Sequence, residues 1–274
     1  MALALHPDWL VPDWPAPRGV HAVFTTRSGG VSSAPWDTMN LGDHVGDVPA
    51  QVAANRACLS AALGAHAVFL QQVHGRDVRV LDHRTPDGSV ADACVTRDAG
   101  VACTIMVADC LPVLLATACG SVVGAAHAGW RGLAGTPLGS STGVLESVHA
   151  SFGLLAQAKI AGSPPDLRAW LGPCIGPDAF EVGPEVKAAF EAVDTRSARC
   201  FKAAGPAKFM ADLPALARLR LRALGVRAIY GNDSSAAWCT ASNPLRFFSH
   251  RRDAGPSGNG FFTTGRMSAC IWKD

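Results

Sequence analysis

Short apolar runs, broken every few residues by glycine, proline or aspartate, constrain the fold of this chain more than any other feature. Runs of this length and composition are typical of β-strands rather than of long helices. We expect strands at 21–26, 67–73, 78–82, 101–107, 113–117, 121–126, 168–171, 228–230, 246–249 and 267–272.

Helical periodicity is confined to four segments. The first is predicted at 49–63, with Asp47 as its N-cap and Gly64 as its stop signal, and the second at 185–192, opened by Pro184. The third is predicted at 213–224, between a capping Asp212 and Gly225, and the fourth lies within 142–158. Because strands and helices alternate irregularly, we predict a mixed α+β fold. We expect a single domain over 1–274, with 161–165 as its most linker-like stretch.

Composition limits the partners and the compartment. The net charge of +2 and the absence of a basic run argue against nucleic-acid binding. No apolar run reaches the roughly 20 residues that a membrane helix needs, and the first residues do not resemble a signal peptide. The nine cysteines contain no C-x-x-C pair, as expected for buried thiols in a reducing compartment. We therefore expect a cytoplasmic protein that acts on small molecules.

Three segments place a metal-capable side chain just after a predicted strand. They are Gln71-Gln72-Val73-His74-Gly75, Ala108-Asp109-Cys110 and Ala126-His127-Ala128-Gly129-Trp130-Arg131. Taken singly, each histidine or cysteine is more typical of a structural residue, but equivalent positions at strand ends can bring all three together. Two imidazoles and a thiolate suit zinc, and a free fourth position would make the site catalytic, because zinc-bound water ionises at a pH of about 7.

Asp109 is a candidate to orient a ligating histidine or to carry a proton. An equally reasonable interpretation is a turn aspartate that accepts backbone hydrogen bonds.

Arginines beside glycines form a second group of candidates. Arg27 lies where a strand enters the loop Ser28-Gly29-Gly30, Arg131 follows His127, and Arg251 follows another predicted strand. Guanidinium groups beside exposed amides suit a phosphate or a carboxylate, whereas Arg252 is interpreted as a surface ion pair. The glycine pair matches neither a P-loop nor a dinucleotide motif, so ATP and NAD are not implied.

Ordered motifs along almost the whole chain resemble a known family. Its members are described as multicopper polyphenol oxidase or laccase-domain proteins, as purine nucleoside phosphorylases and as peptidoglycan editing factor. Besides the three segments above, the motifs are Thr26-Arg27-Ser28-Gly29-Gly30-Val31-Ser32, Asn40-Leu41-Gly42, His44-Val45-Gly46-Asp47, Ala91-Asp92-Ala93, Gly172-Pro173-Cys174-Ile175-Gly176-Pro177, Phe180-Glu181-Val182-Gly183, Phe247-Phe248-Ser249-His250-Arg251-Arg252-Asp253 and Thr264-Gly265-Arg266. One departure, at Asp178-Ala179-Phe180, is expected to change a pocket wall.

The resemblance implies mixed β-sheets packed as a sandwich-like core with flanking helices. It implies that His74, Cys110 and His127 bind a catalytic Zn²⁺, with Cu²⁺ as the other candidate metal. With Asp109, these three residues form the expected catalytic set. Arg27, Asn40, Arg131 and Arg251 are expected to bind substrate or phosphate.

The implied reactions use purine nucleosides and phosphate. They are phosphorolysis of adenosine, inosine, guanosine or methylthioadenosine to free base and ribose 1-phosphate, and deamination of adenosine. Two alternatives of other classes stay open: a metal-free cysteine hydrolase that edits peptidoglycan through Cys110, and a non-catalytic module in which zinc only joins strands. The older oxidase name would require several coppers, and the remaining histidines are not clustered in the sequence. The sequence ranks neither the nucleosides nor the oligomeric states.

Overall fold

The computed structural model describes residues 5–135, 140–156, 166–257 and 260–274. The strands are β1 (Val20–Phe24), β2 (His66–Phe69), β3 (Val78–Val80), β4 (Ala93–Thr96), β5 (Val101–Val107), β6 (Leu111–Thr117), β7 (Val123–Ala128), β8 (Leu167–Leu171), β9 (Glu181–Val182), β10 (Phe201–Gly205), β11 (Lys208–Ala211), β12 (Ala228–Gly231), β13 (Gly255–Ser257), β14 (Gly260–Phe262) and β15 (Met267–Lys273). The α-helices are α1 (Pro49–Leu63), α2 (Trp130–Ala134), α3 (Val144–Leu155), α4 (Pro184–Glu191), α5 (Leu213–Ala223) and α6 (His250–Asp253).

Two sheets with mixed strand directions face each other. One has the order β1-β15-β5-β2 and the other β12-β8-β6-β7-β4-β3. In each, antiparallel neighbours are combined with parallel pairs such as β2 with β5 and β8 with β12. Apolar side chains from both sheets form one buried cluster that includes Phe24, Ile105, Leu114, Val123 and Ala269. The α+β sandwich predicted above is confirmed.

Helices cover the outer face of each sheet. Leu59 and Leu63 of α1 pack with Phe69 and Met106 of the four-stranded sheet. On the other side, α3, α4 and α5 bury side chains such as Phe152, Phe190 and Leu216 in one core with the six-stranded sheet. Strands β5 and β6 are therefore both buried on their two faces, which explains why their sequences are continuous apolar runs.

The link between β5 and β6 takes the chain from one sheet to the other in three residues, Ala108 to Cys110. Asp109 in this link has a positive φ of 89°, and His74, in the loop after β2, has one of 60°. Positive φ is uncommon for residues other than glycine and is found disproportionately at functional sites. The crossing places Asp109 and Cys110 at the edge where the two sheets meet.

Two local predictions were wrong, and some strand boundaries differ from the predicted ones. The segment 246–249 is not a strand, because the amides of Arg246 and Phe247 donate to the carbonyl of Asn243 in a turn and Ser249 caps α6. Asp47 does not cap α1; its carboxylate binds the amide of Val48 and the side chain of Asn40, and Val48 occupies the N-cap position.

Strand β2 ends at Phe69, four residues earlier than predicted, whereas β7 runs to Ala128, two residues further than predicted. Because of this, His127 lies inside a strand instead of following one. The four predicted helices are present as α1, α3, α4 and α5, and Asp212 caps α5 by accepting from the amide of Ala215. The linker-like stretch at 161–165 lies outside the described residues.

Strand β4 and the small sheet β10-β11-β9 were not predicted. The strands of the small sheet are short and largely exposed, so their sequences carry little apolar alternation. Among the helices that the structure describes, none combines the length and apolar character needed to cross a bilayer.

Candidate metal centre

His74, Cys110 and His127 meet at the edge where the sheets cross. One ligand atom from each lies within 4.8 Å of the others. The Sγ of Cys110 is 3.6 Å from the Nε2 of His74, and the two imidazole rings have centroids 4.7 Å apart at an angle of 71°. Among the histidine, cysteine, aspartate and glutamate side chains that the structure describes, these three form the one group close enough together to hold a metal ion. The group could bind a metal ion.

Asp92 holds two of these side chains in place. Its Oδ1 lies 2.8 Å from the Nδ1 of His127, and its carboxylate also accepts from the amides of Val73, His74 and Gly75 at 3.2, 2.8 and 2.7 Å. Because Nδ1 of His127 is engaged with Asp92, its Nε2 is the nitrogen available to a metal. Asp92 therefore fixes both the orientation of His127 and the backbone that carries His74.

The space between the three side chains depends on Gly129. A Cβ at this position would lie 2.8 Å from the Cδ2 of His74 and 3.0 Å from the Sγ of Cys110. Real side-chain contacts are longer, so any other residue would displace the ligands.

Electrostatics favour the deprotonated thiol. Burial opposes ionisation of Cys110, but the charge and hydrogen bonds of His127, with a hydrogen bond from His74, lower the pKa of Cys110 to about 6. Burial also opposes protonation of His127, yet the Cys110 thiolate and Asp92 raise its pKa to about 9. Asp92 itself is buried, but the bonds from His127 and the loop amides keep its pKa below the ordinary value. The thiolate of Cys110 is the form that binds zinc, and binding would also release the proton that His127 carries at neutral pH.

The three side chains open into a cavity of about 360 Å³, within the range of small-molecule sites. One part of the lining, the apolar wall, consists of Trp130, Ile175, Phe180 and Leu213, which belong to or pack against the core around the six-stranded sheet. Another part, the polar wall, consists of His44, Gln72, His250 and Arg266. The lining therefore offers contacts to an apolar ring and to a polar or anionic group within the same cavity.

Of the other residues expected at the site, Asp109, Arg131 and Arg251 line the cavity. The carboxylate of Asp109 contacts neither histidine of the metal-capable group; it accepts from the hydroxyl of Thr240 at 2.5 Å and the amide of Arg251 at 2.6 Å. Arg131 lies 4.5 Å from the centroid of the Trp130 ring, and Arg251 lies 5.6 Å from that of Phe180.

Arg27 and Asn40 are not brought to the cavity. Arg27 binds Asp37 and the carbonyl of Pro244. The buried Asn40 holds the carbonyl and amide of Gly42 and accepts from the amide of Arg266. Both side chains thus fix loops at the end of the four-stranded sheet.

The reasoning from sequence did not nominate Asp92, His44, Gln72, His250 or Arg266 as site residues. All five lie within motifs that carry the family resemblance, which was the available signal. Phe180, at the departure from the family pattern, does form part of a cavity wall.

Comparisons with known proteins agree over nearly the whole chain. Purine nucleoside phosphorylase YfiH of Escherichia coli is 45% identical over 265 residues, covering 96% of this chain and 98% of the relative. The purine nucleoside phosphorylase PA4543 of Pseudomonas aeruginosa is 46% identical over the same length, with the same coverage.

Solved structures show the same fold. Protein NMB0706 of Neisseria meningitidis superimposes with a TM-score of 0.81 at 40% identity, covering 97% of this chain and 99% of that protein. YlmD of Geobacillus stearothermophilus superimposes with a TM-score of 0.77 at 31% identity, covering 97% and 96%. A family model described as multi-copper polyphenol oxidoreductase laccase matches residues 21–274, and the chain belongs to this family.

Proposed function

We propose that this protein is a zinc-dependent purine nucleoside phosphorylase that converts adenosine, inosine, guanosine or methylthioadenosine, with phosphate, to free base and ribose 1-phosphate. The observation that carries the proposal is one cavity that is lined by the His74, Cys110 and His127 group, by the apolar wall and by the polar wall. The names of the relatives from Escherichia coli and Pseudomonas aeruginosa support the same reaction.

The donor set fits zinc. Two imidazole nitrogens and one thiolate are borderline and soft ligands, and a three-residue site leaves one position for substrate or water. Bound there, zinc would stabilise negative charge on a substrate oxygen as a Lewis acid. Two histidines and a cysteine also occur in copper sites, so the metal content of purified protein distinguishes zinc from copper.

The side chains of the apolar wall suit a purine. Trp130 and Phe180 offer flat rings, and Ile175 and Leu213 complete a surface that excludes water. Arg131 and Arg251, next to the two aromatic rings, place positive charge at the border of this wall. Negative charge that develops on the departing base would be stabilised by these guanidinium groups.

Adenosine deamination is a second reaction that we propose for the same site. Asp109 is the proton carrier that we propose for it, because its carboxylate lies on the cavity wall beside Cys110. The bonds from Thr240 and from the Arg251 amide fix the position of this carboxylate.

The test is a panel of purine nucleosides incubated with purified protein in the presence and absence of phosphate. We expect phosphate-dependent release of free base with an equal amount of ribose 1-phosphate, and inosine from adenosine in both conditions. Base release that is independent of phosphate, or no release from any nucleoside, would contradict the phosphorylase assignment.

A cysteine hydrolase acting on peptidoglycan peptides is the second candidate. It is favoured by the order Cys110, His127, Asp92, which has the arrangement of a nucleophile, a base and a carboxylate that orients the base. This reaction needs no metal. Nucleoside turnover that a chelator abolishes completely would therefore oppose it. Peptide cleavage that resists the chelator but is abolished by iodoacetamide would support it.

The non-catalytic interpretation, in which zinc only joins strands, is tested with Cys110→Ala. It predicts a sharp loss of thermal stability and no turnover in the intact protein. We expect instead that the variant folds and that nucleoside cleavage is lost.

A further inference from the structure

Arg266 lines the cavity, and the negative charges of Asp109 and of the Cys110 thiolate act on its guanidinium from beyond ion-pair distance. The residue precedes β15, and its Nη1 donates to the carbonyls of Thr264 and Gly265 at 2.7 and 3.3 Å. Among the residues that the structure describes, no carboxylate lies within ion-pair distance of Arg266, and its Nε and Nη2 have no hydrogen-bond partner. Arg266 is half-buried, and both free donors keep access to the solvent of the cavity. The two backbone bonds fix the plane of the guanidinium and leave its other donors available to a ligand.

Two imidazoles of the polar wall, those of His44 and His250, line the cavity together with Arg266. Burial, and then the charge of Arg266, lower the pKa of both histidines, so each is a neutral imidazole that can donate one N–H to a ligand. His44 is itself bonded to Asp43 at 3.3 Å, and Asp43 is paired with Arg56.

The one carboxylate among the described residues that line the cavity is Asp109, and both of its oxygens already accept hydrogen bonds. Arg131 and Arg251 differ from Arg266 because each lies against an aromatic ring at the apolar wall. Arg266 therefore combines positive charge, fixed geometry and free donors in the lining of the cavity, without an aromatic ring from the described residues against its guanidinium.

We propose that inorganic phosphate binds to Arg266, with His250 and His44 as further donors, on the polar wall of the cavity. This inference rests on the proposed phosphorolysis. A planar guanidinium donates two parallel hydrogen bonds to phosphate, and imidazole N–H groups can supply additional bonds. The site would hold the phosphate in the same cavity as the metal centre and the apolar wall.

That position fits the reaction. An oxygen of hydrogen phosphate forms a bond to C1′ of the ribose while the bond from C1′ to the base nitrogen breaks, and the electron pair of that bond leaves with the base. The proton of hydrogen phosphate is transferred, directly or through solvent, to the base nitrogen. The products are ribose 1-phosphate and neutral base, and no oxidant or further reactant is needed.

The test compares Arg266→Met with the wild-type protein, both loaded with zinc. Methionine keeps an unbranched stem where the Arg266 side chain packs beside Gly42, so the change removes charge with little loss of packing. Binding of inorganic phosphate is measured by calorimetry, which requires no turnover, and the KM values for phosphate and inosine are measured separately. Loss of charged hydrogen bonds should weaken phosphate binding by about 10- to 100-fold and leave the KM for inosine within about twofold.

Arg266→Lys should recover part of the phosphate affinity, because it restores the charge without the planar donors. Arg222→Met, which removes an exposed arginine of α5 outside the cavity, should behave as wild type. Equal phosphate affinity in wild type and Arg266→Met, or an equal rise of both KM values, would overturn this inference alone. Wild-type protein that binds phosphate through Arg266 but releases no base would overturn the proposed function and retain the anion site.

Discussion

The Oδ1 of Asp92 lies 2.8 Å from the Nδ1 of His127, and this contact links a buried carboxylate of the loop before β4 to a metal-capable side chain inside β7. The same carboxylate accepts the amides around His74, so one side chain orders two of the three candidate ligands. Partners of this kind set the orientation and basicity of a ligating histidine.

Replacing Asp92 should therefore weaken metal binding. For Asp92→Asn we expect zinc affinity to fall by about 10- to 100-fold, because the amide holds His127 less strongly and also presents donors to the amides of the His74 loop. Competition with a chromogenic chelator measures the affinity. Asp77→Asn, at an exposed position of the loop that carries His74, is the control. Equal zinc affinity in the two variants would refute the role of Asp92.

Gly129→Ala should empty the metal centre without unfolding the protein. The added methyl group would overlap His74 and Cys110, and both would have to move. We expect zinc content well below one ion per chain and a loss of nucleoside cleavage of at least about 100-fold, since small displacements at a reacting centre cost that much.

Gly153→Ala in α3 is the matched control. Apart from its own helix, no described part of the chain lies within 4 Å of its new Cβ, and alanine in a helix is favoured over glycine by about 0.5 to 1 kcal/mol. This variant should keep its zinc and activity and unfold at a slightly higher temperature. Normal zinc content in Gly129→Ala would show that the ligands do not need this space.

The reactivity of Cys110 should report its surroundings in zinc-free protein. A lowered pKa means that the thiolate persists as the pH falls towards about 6 and is lost below it, whereas an ordinary thiol is mostly protonated below a pH of about 8.5. Alkylation by iodoacetamide, followed by peptide mass analysis from pH 5 to 9, measures this midpoint.

The buried Cys174, whose pKa is raised mainly by burial, should stay unmodified throughout, and zinc should protect Cys110. A midpoint for Cys110 near that of a free thiol would contradict the described contacts with His74 and His127.

The ion pair between Glu146 of α3 and Arg220 of α5 should contribute to stability. The Nε of Arg220 lies 2.8 Å from Oε1 of Glu146, and their side chains are 9% and 16% exposed, respectively. Glu146→Ala leaves a buried guanidinium unpaired and should lower the free energy of unfolding by about 3 kcal/mol. Urea denaturation measures the loss.

The pair of Lys187 with Glu191, one turn later in α4, is more exposed than the pair of Arg220 with Glu146. Glu191→Ala should therefore lower the free energy of unfolding by only about 0.3 to 0.5 kcal/mol. Similar losses of unfolding free energy in the two variants would show that burial does not make the first ion pair contribute more than the second.

Sequence patterns predicted the elements whose local signals and burial agree. Strand β5 was predicted with its observed bounds because 101–107 is a continuous apolar run, and α5 was predicted because a capping aspartate, a first-turn proline and a following glycine delimit it. The run at 246–249 gave a wrong strand because Phe247 and Phe248 reach the core from a turn, and an apolar run alone does not distinguish these cases.

The candidate ligands could be predicted because each lies in a segment marked by glycine or proline near a strand end. The role of Asp92 could not be predicted from local pattern, because it depends on contacts with residues 18 and 35 positions away. Arg27 has the sequence surroundings of an anion-binding residue, but its partners Asp37 and Pro244 come from two other loops. Only the fold shows that Arg266 instead faces the cavity.

The most direct measurement of the central claim is the zinc content per chain, determined on the same preparation as phosphate-dependent release of hypoxanthine from inosine, before and after chelation. We predict about one zinc per chain, loss of zinc and of hypoxanthine release together on chelation, and recovery of both when zinc is returned. Full, phosphate-dependent activity in protein from which all metal has been removed would contradict a zinc centre formed by His74, Cys110 and His127.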